Sequence, residues 1–125
     1  MKYLDKNQIE TNLKTGKAIE QWIGHYQESD YTILQWLRID KERSNEFSVS
    51  YFEVFDDGDK EFLDIYSFSS ADANEPYGRI NSFENFQIAL YFAEKFYAAS
   101  IARYVNAGMI QDEYQSYVES KGTSS

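Results

Sequence analysis

The stretch Ser82–Gly108 (SFENFQIALYFAEKFYAASIARYVNAG) constrains this chain more than any other. Phe86, Leu90, Ala93, Tyr97, Ile101 and Tyr104 recur at three- and four-residue steps, the spacing that aligns side chains along one helical stripe. Phe83, Ala89, Phe92, Phe96, Ala99 and Ala102 widen that stripe until only a narrow polar edge is left. The spacing predicts one long helix, with Ser82 as its N-cap and Asn106–Gly108 as its terminator. A helix apolar over so much of its girth must be covered on more than one side. It carries Glu84, Glu94, Lys95 and Arg103, so it is read as a core helix and not as a membrane span.

The material to cover it lies upstream. From Lys17 the period is two, in four segments rich in aromatic and β-branched residues: Lys17–Gln27, Tyr31–Asp40, Phe47–Phe55 and Lys60–Phe68. The links Glu28–Asp30, Lys41–Glu46 and Asp56–Asp59 are short, which makes neighbouring strands antiparallel. Asp57-Gly58 in the last link is the strongest hairpin signal present. A short helix over Leu4–Gly16 precedes the strands, opened by a capping box of Asp5 and Gln8. A second short helix, Met109–Glu119, follows the long one. Ser69–Asn81, with the sole proline Pro76, reads as a polar connection. The expected fold is α+β: a four-stranded antiparallel β-meander packed against one long C-terminal helix, with short N- and C-terminal helices. The 125 residues form one domain, with 1–3 and 121–125 frayed at its ends.

The strands lack a clean division between an oily and a polar side. Ile33, Leu37 and Ile39 oppose Leu34 and Trp36; Val49, Tyr51 and Phe55 oppose Phe52 and Val54. One long helix covers one face, so the second face must meet the N-terminal helix, curl on itself or bind something. Trp22, Tyr26, Tyr31, Trp36, Tyr51 and Tyr66 are the residues with which such a face would hold a partner, since Tyr and Trp combine contact area with a polar handle.

Charge narrows the partner. Twelve basic against 21 acidic residues leave −9, a surface that repels phosphate backbones and anionic lipid and attracts basic proteins or divalent cations. There is no cysteine, and residues 1–20 hold no apolar run of the kind a secretory signal needs, so the chain reads as a soluble cytoplasmic protein. His25 is the single histidine, with no nucleophile marked beside it by a motif; with no cysteine to assist, it argues against transition-metal chemistry. The expected function is that of a non-catalytic protein, of inhibitor, immunity or regulatory type, that binds a basic protein partner without nucleic acid or membrane. A second copy of the chain is another candidate for the open sheet face. The runner-up is calcium binding by the acidic turn of Asp56, Asp57, Asp59, Glu61 and Asp64, because Ca²⁺ takes many oxygen ligands in flexible geometry. The third reading is a small enzyme or carrier with a pocket between sheet and helix.

Overall fold

The computed structural model describes residues 2–123; Met1, Ser124 and Ser125, assigned above to the frayed ends, lie outside the described residues. The chain is an α+β fold built on a five-stranded antiparallel sheet. Helix α1 (Lys6–Lys14) begins at the expected capping box, with the Asp5 carboxylate accepting from the Gln8 amide at 2.8 Å and the Gln8 side chain accepting from the Asp5 amide at 2.9 Å. Strands β1 (Ile19–Glu28), β2 (Tyr31–Lys41) and β3 (Phe47–Phe55) form the meander that the period-two pattern indicates. The fourth strand of the sheet, β4 (Arg79–Phe83), pairs with β3, and a two-residue β5 (Val105–Asn106) pairs with the start of β1. The order is β4-β3-β2-β1-β5. Helices α2 (Phe86–Tyr97) and α3 (Ile110–Thr123) complete the fold. No helix among the described residues is long and apolar enough to cross a membrane.

Three expectations are corrected. The stretch Ser82–Gly108 is not one helix. Ser82 lies in β4, Asn85 is the N-cap of α2 and accepts from the Ile88 amide at 2.9 Å, and α2 stops at Tyr97. The stop is made by Ala98, which adopts the left-handed conformation (φ 59°) while the Ala99 amide reaches back to the Ala93 carbonyl at 3.2 Å. The break has a long-range cause. The buried Gln21 side chain donates to the Ser100 carbonyl (2.8 Å) and accepts from the Ser100 amide (2.7 Å), so one amide side chain serves as a strand neighbour for a non-helical backbone.

The segment Lys60–Phe68 is not a strand. It holds a tight bridge between Asp59 and Phe62 and a 3₁₀ turn at Ile65–Ser67. Gly58 does not close a hairpin; its backbone packs so tightly that a Cβ there would sit 2.3 Å from the Phe62 carbonyl oxygen and 2.5 Å from the Phe68 ring. The strand arises instead at Arg79–Phe83, inside and just beyond the stretch that reads as a polar connection. At the C-terminus α3 runs through Thr123, with Lys121 3.5 Å from Asp56.

Both sheet faces are covered by the chain itself. On one, Ile19, Leu37, Ile39 and Val49 pack with Ile9 and Leu13 of α1 and Phe86, Ala89 and Ala93 of α2. On the other, Leu34, Trp36 and Val54 pack with Ile65, Phe68, Ile110 and Tyr114, from the irregular segment and α3. A bulge between Trp22 and Gly24 lets β1 change register and still present Ile23 to the first core.

Ala98 carries the steric cost of a Cβ in the left-handed region, which glycine avoids. Ala98→Gly is expected to stabilise the fold by about 1 kcal/mol, seen as a rise in melting temperature of roughly 3–5 °C. A drop of similar size would show that α2 does not end in this conformation.

Candidate functional site

The six aromatic residues expected to form one patch are divided between the two faces and largely consumed by internal contacts. Trp22 lies half-buried under α3, its ring 5.5 Å from Tyr117. Tyr51 is buried and stacked on Tyr97 at 4.0 Å with 5° between the rings. Its hydroxyl donates to Glu53 (2.7 Å), which also accepts from Tyr26 (3.1 Å). Tyr31 is exposed, against Phe55 at 5.3 Å. Trp36 and Tyr66 meet at a cavity.

That cavity, of about 300 Å³, lies beside the β3–β4 end of the second face. Register builds its floor. Trp36 of β2 is directly opposite Phe52 of β3, and the two rings stack at 4.2 Å and 20°. Tyr66, on the 3₁₀ turn, stands edge-on to Trp36 at 5.3 Å and 85°. The rim is the turn Glu75–Gly78, closed by the Gly78 amide donating to the Glu75 carbonyl at 3.1 Å. Pro76 at its second position and Gly78 at its fourth follow the preferences of the commonest β-turn. Gly78 has φ +82° and sits so close to β3 that a Cβ would lie 2.8 Å from the Phe52 ring, so only glycine keeps this wall thin.

Tyr66 is positioned by a buried carboxylate that sequence reasoning overlooked. Glu20 has no exposed surface. It accepts from the Tyr66 hydroxyl (2.6 Å), the Gly108 amide (3.0 Å) and Arg38 Nη1 (3.0 Å). Arg38 Nε in turn reaches both oxygens of Asp40 at 3.0 and 3.1 Å. Burial opposes the Arg38 charge, but Asp40 and Glu20 outweigh it and hold its pKa up. The guanidinium at the cavity wall is therefore already neutralised by two carboxylates. The Trp36 indole nitrogen, buried in the floor, has no hydrogen-bond partner among the described residues. The Ser70 hydroxyl at the margin donates to backbone carbonyls of Asp72 and Glu75, each at 3.0 Å. The arrangement suits holding an apolar side chain, with chemistry at its wall spent on architecture.

The acidic segment is tied into the fold by backbone and side-chain bonds. Asp59 accepts from the amides of Glu61 and Phe62 (2.8 and 3.1 Å), and Asp57 from that of Ser69 (2.9 Å). Asp56 accepts from the Tyr114 hydroxyl and faces Lys121; Asp64 accepts from Gln111 at 3.2 Å. Glu61 is exposed on the same segment. Among the described residues no three His, Cys, Asp or Glu side chains converge as a metal site would require. His25 is exposed, with its ring 4.8 Å from Tyr117.

The chain matches no protein-family model, no curated protein and no solved structure.

Tyrosines bind the elements together and give the fold a pH signature. Burial, reinforced by Glu20 at Tyr66, Glu53 at Tyr51 and Asp56 at Tyr114, raises these hydroxyls above the ordinary tyrosine value; burial also raises Tyr104. The unfolded chain loses these protons near pH 10 while the folded chain retains them. The stability they confer is thus full below pH 10 and falls as pH rises beyond it. Ionisation of these four tyrosines and loss of far-ultraviolet dichroism are expected to occur together in one alkaline transition. Titration of these tyrosines near pH 10 with the fold intact would contradict the burial and bonding described.

Proposed function

We propose that this chain is a small acidic non-catalytic protein, of the inhibitor, immunity or regulatory type, that binds a partner protein through the flank carrying β4. One observation carries the reading. A group of exposed apolar side chains lies on this flank although both sheet faces are covered. Tyr77, 81% exposed, lines the cavity floored by Trp36 and Phe52, and Ile80, 59% exposed, lies on β4 opposite Ser50. On the other side of β4, Phe83 touches Phe92 at 4.8 Å, and Phe92 stacks on Phe96, itself 72% exposed. Large apolar side chains held in water on one side of a small domain mark an interaction surface.

The cavity supplies a recess for a bulky anchor and its surroundings supply a rim, the anatomy in which a few residues dominate protein recognition. The net charge of −9 favours basic partners by speeding encounter, an effect that salt weakens.

A random-peptide phage library panned on the full chain tests this directly. Selected peptides are expected to share a bulky apolar residue among Lys or Arg. Tyr77→Ala, at a site too exposed to unsettle the fold, is expected to weaken them by roughly tenfold. Selected peptides indifferent to Tyr77→Ala and to added salt would contradict the assignment.

A further inference from the structure

Strand β4 is an open edge. It pairs with β3 on one side only, and no backbone hydrogen bond among the described residues leaves Arg79–Phe83 on the other. Four of its five residues are exposed. Natural sheets shield such edges with prolines, lysines, bulges or covering elements. The opposite edge of this sheet is shielded, by β5 and by the bulge in β1. On β4 the only charged residue is Arg79, and Glu75 engages it at 2.9 Å.

We infer that β4 accepts an extended segment of the partner protein as a sixth strand, with one bulky apolar side chain of that segment entering the Trp36–Phe52–Tyr66 cavity and lysine or arginine nearby in its sequence. It rests on the partner-binding reading of this flank and adds the mode of binding. Three features meet here. The unpaired backbone supplies hydrogen bonds for strand addition. The cross-strand row Trp22, Trp36, Phe52 extends toward Gly78, one residue beyond the last β3–β4 pair, Tyr51 with Arg79. A residue of an added strand opposite Gly78 meets no side chain there, so its own side chain passes over the glycine into the cavity. Alternate residues of a strand share a face, so the residue two along falls beside Ile80, which lies on the cavity side opposite Ser50. Charge selects the partner over a second copy. Glu53, Asp72 and Glu75 lie around the start of the edge and Glu84 follows its end, with Arg79 paired to Glu75, and two copies carrying −9 each repel.

The probe is the synthetic peptide acetyl-Lys-Val-Thr-Phe-Thr-Val-Lys-amide, titrated by calorimetry into the full chain. Two forms carry backbone N-methyl groups on alternate residues, one form for each set of amides. One N-methylated form is expected to bind at least tenfold more weakly and the other like the parent, because only one set of amides faces β4. Amide resonances of Arg79–Phe83 are expected to shift on binding. Glu75→Lys is expected to weaken the peptide several-fold and to favour its Glu-ended counterpart. Equal binding by both N-methylated forms overturns strand addition; if Tyr77→Ala still weakens them, the cavity remains a partner site and only the mode fails. Absence of binding overturns the inference, as does concentration-dependent dimerisation of the chain that shifts the same amides and excludes the peptide.

Discussion

Glu20 holds the second half of this molecule onto the first. A carboxylate with no exposed surface loses several kcal/mol of hydration, so it persists only when its oxygens are satisfied. Here the donors come from three places distant in sequence: Arg38 on β2, Tyr66 on the 3₁₀ turn, and Gly108 between β5 and α3. The irregular segment after β3 and the helix at the C-terminus have little regular structure to dock with. Their attachment is through aromatic contacts, the second core, the bonds that Asp56 makes to Tyr114 and Asp57 to the Ser69 amide, and this carboxylate. The tie also sets the cavity, since the hydroxyl that Glu20 holds belongs to the ring standing against Trp36.

Much of the fold is legible in the sequence where local and tertiary preferences agree. The Asp5–Gln8 capping box and the alternation in Phe47–Phe55 each determine an element within a residue or two. Legibility ends where distant residues decide. Nothing near Ala98 announces a stop; the Gln21 side chain, 79 positions from Ser100, completes the backbone that has left the helix. Arg79–Phe83 has a strand's conformation because β3 offers an edge, and its exposed, largely polar residues carry no alternation to reveal it. Lys60–Phe68 does alternate, yet Ile65 and Phe68 are drawn down onto the sheet face as a cap, which a strand alongside β3 could not supply.

The site is legible in part for the same reason. Trp36 and Tyr66 stand out as aromatic residues, and they do share a cavity. Tyr26 and Tyr51 look equivalent in sequence but are tied to Glu53 on the opposite face. The rim, Pro76–Gly78, is signalled only by a turn-forming Pro and Gly in a polar stretch. Glu20, a charged residue in an alternating strand, looks solvent-facing until its three donors are seen. The surplus of apolar surface is therefore not an uncovered sheet face. Part of it lies on a flank where an edge strand, a turn and α2 leave aromatic rings in water.

Hydrogen exchange on Glu20→Ala tests most directly whether one buried carboxylate secures this half of the molecule. The account predicts faster exchange confined to the segment around Ile65–Phe68, the turn at Gly108 and the start of α3, with β2, β3 and α2 still protected. Unchanged protection at Ile65–Phe68 and Gly108, or uniform loss across the whole sheet, would contradict it.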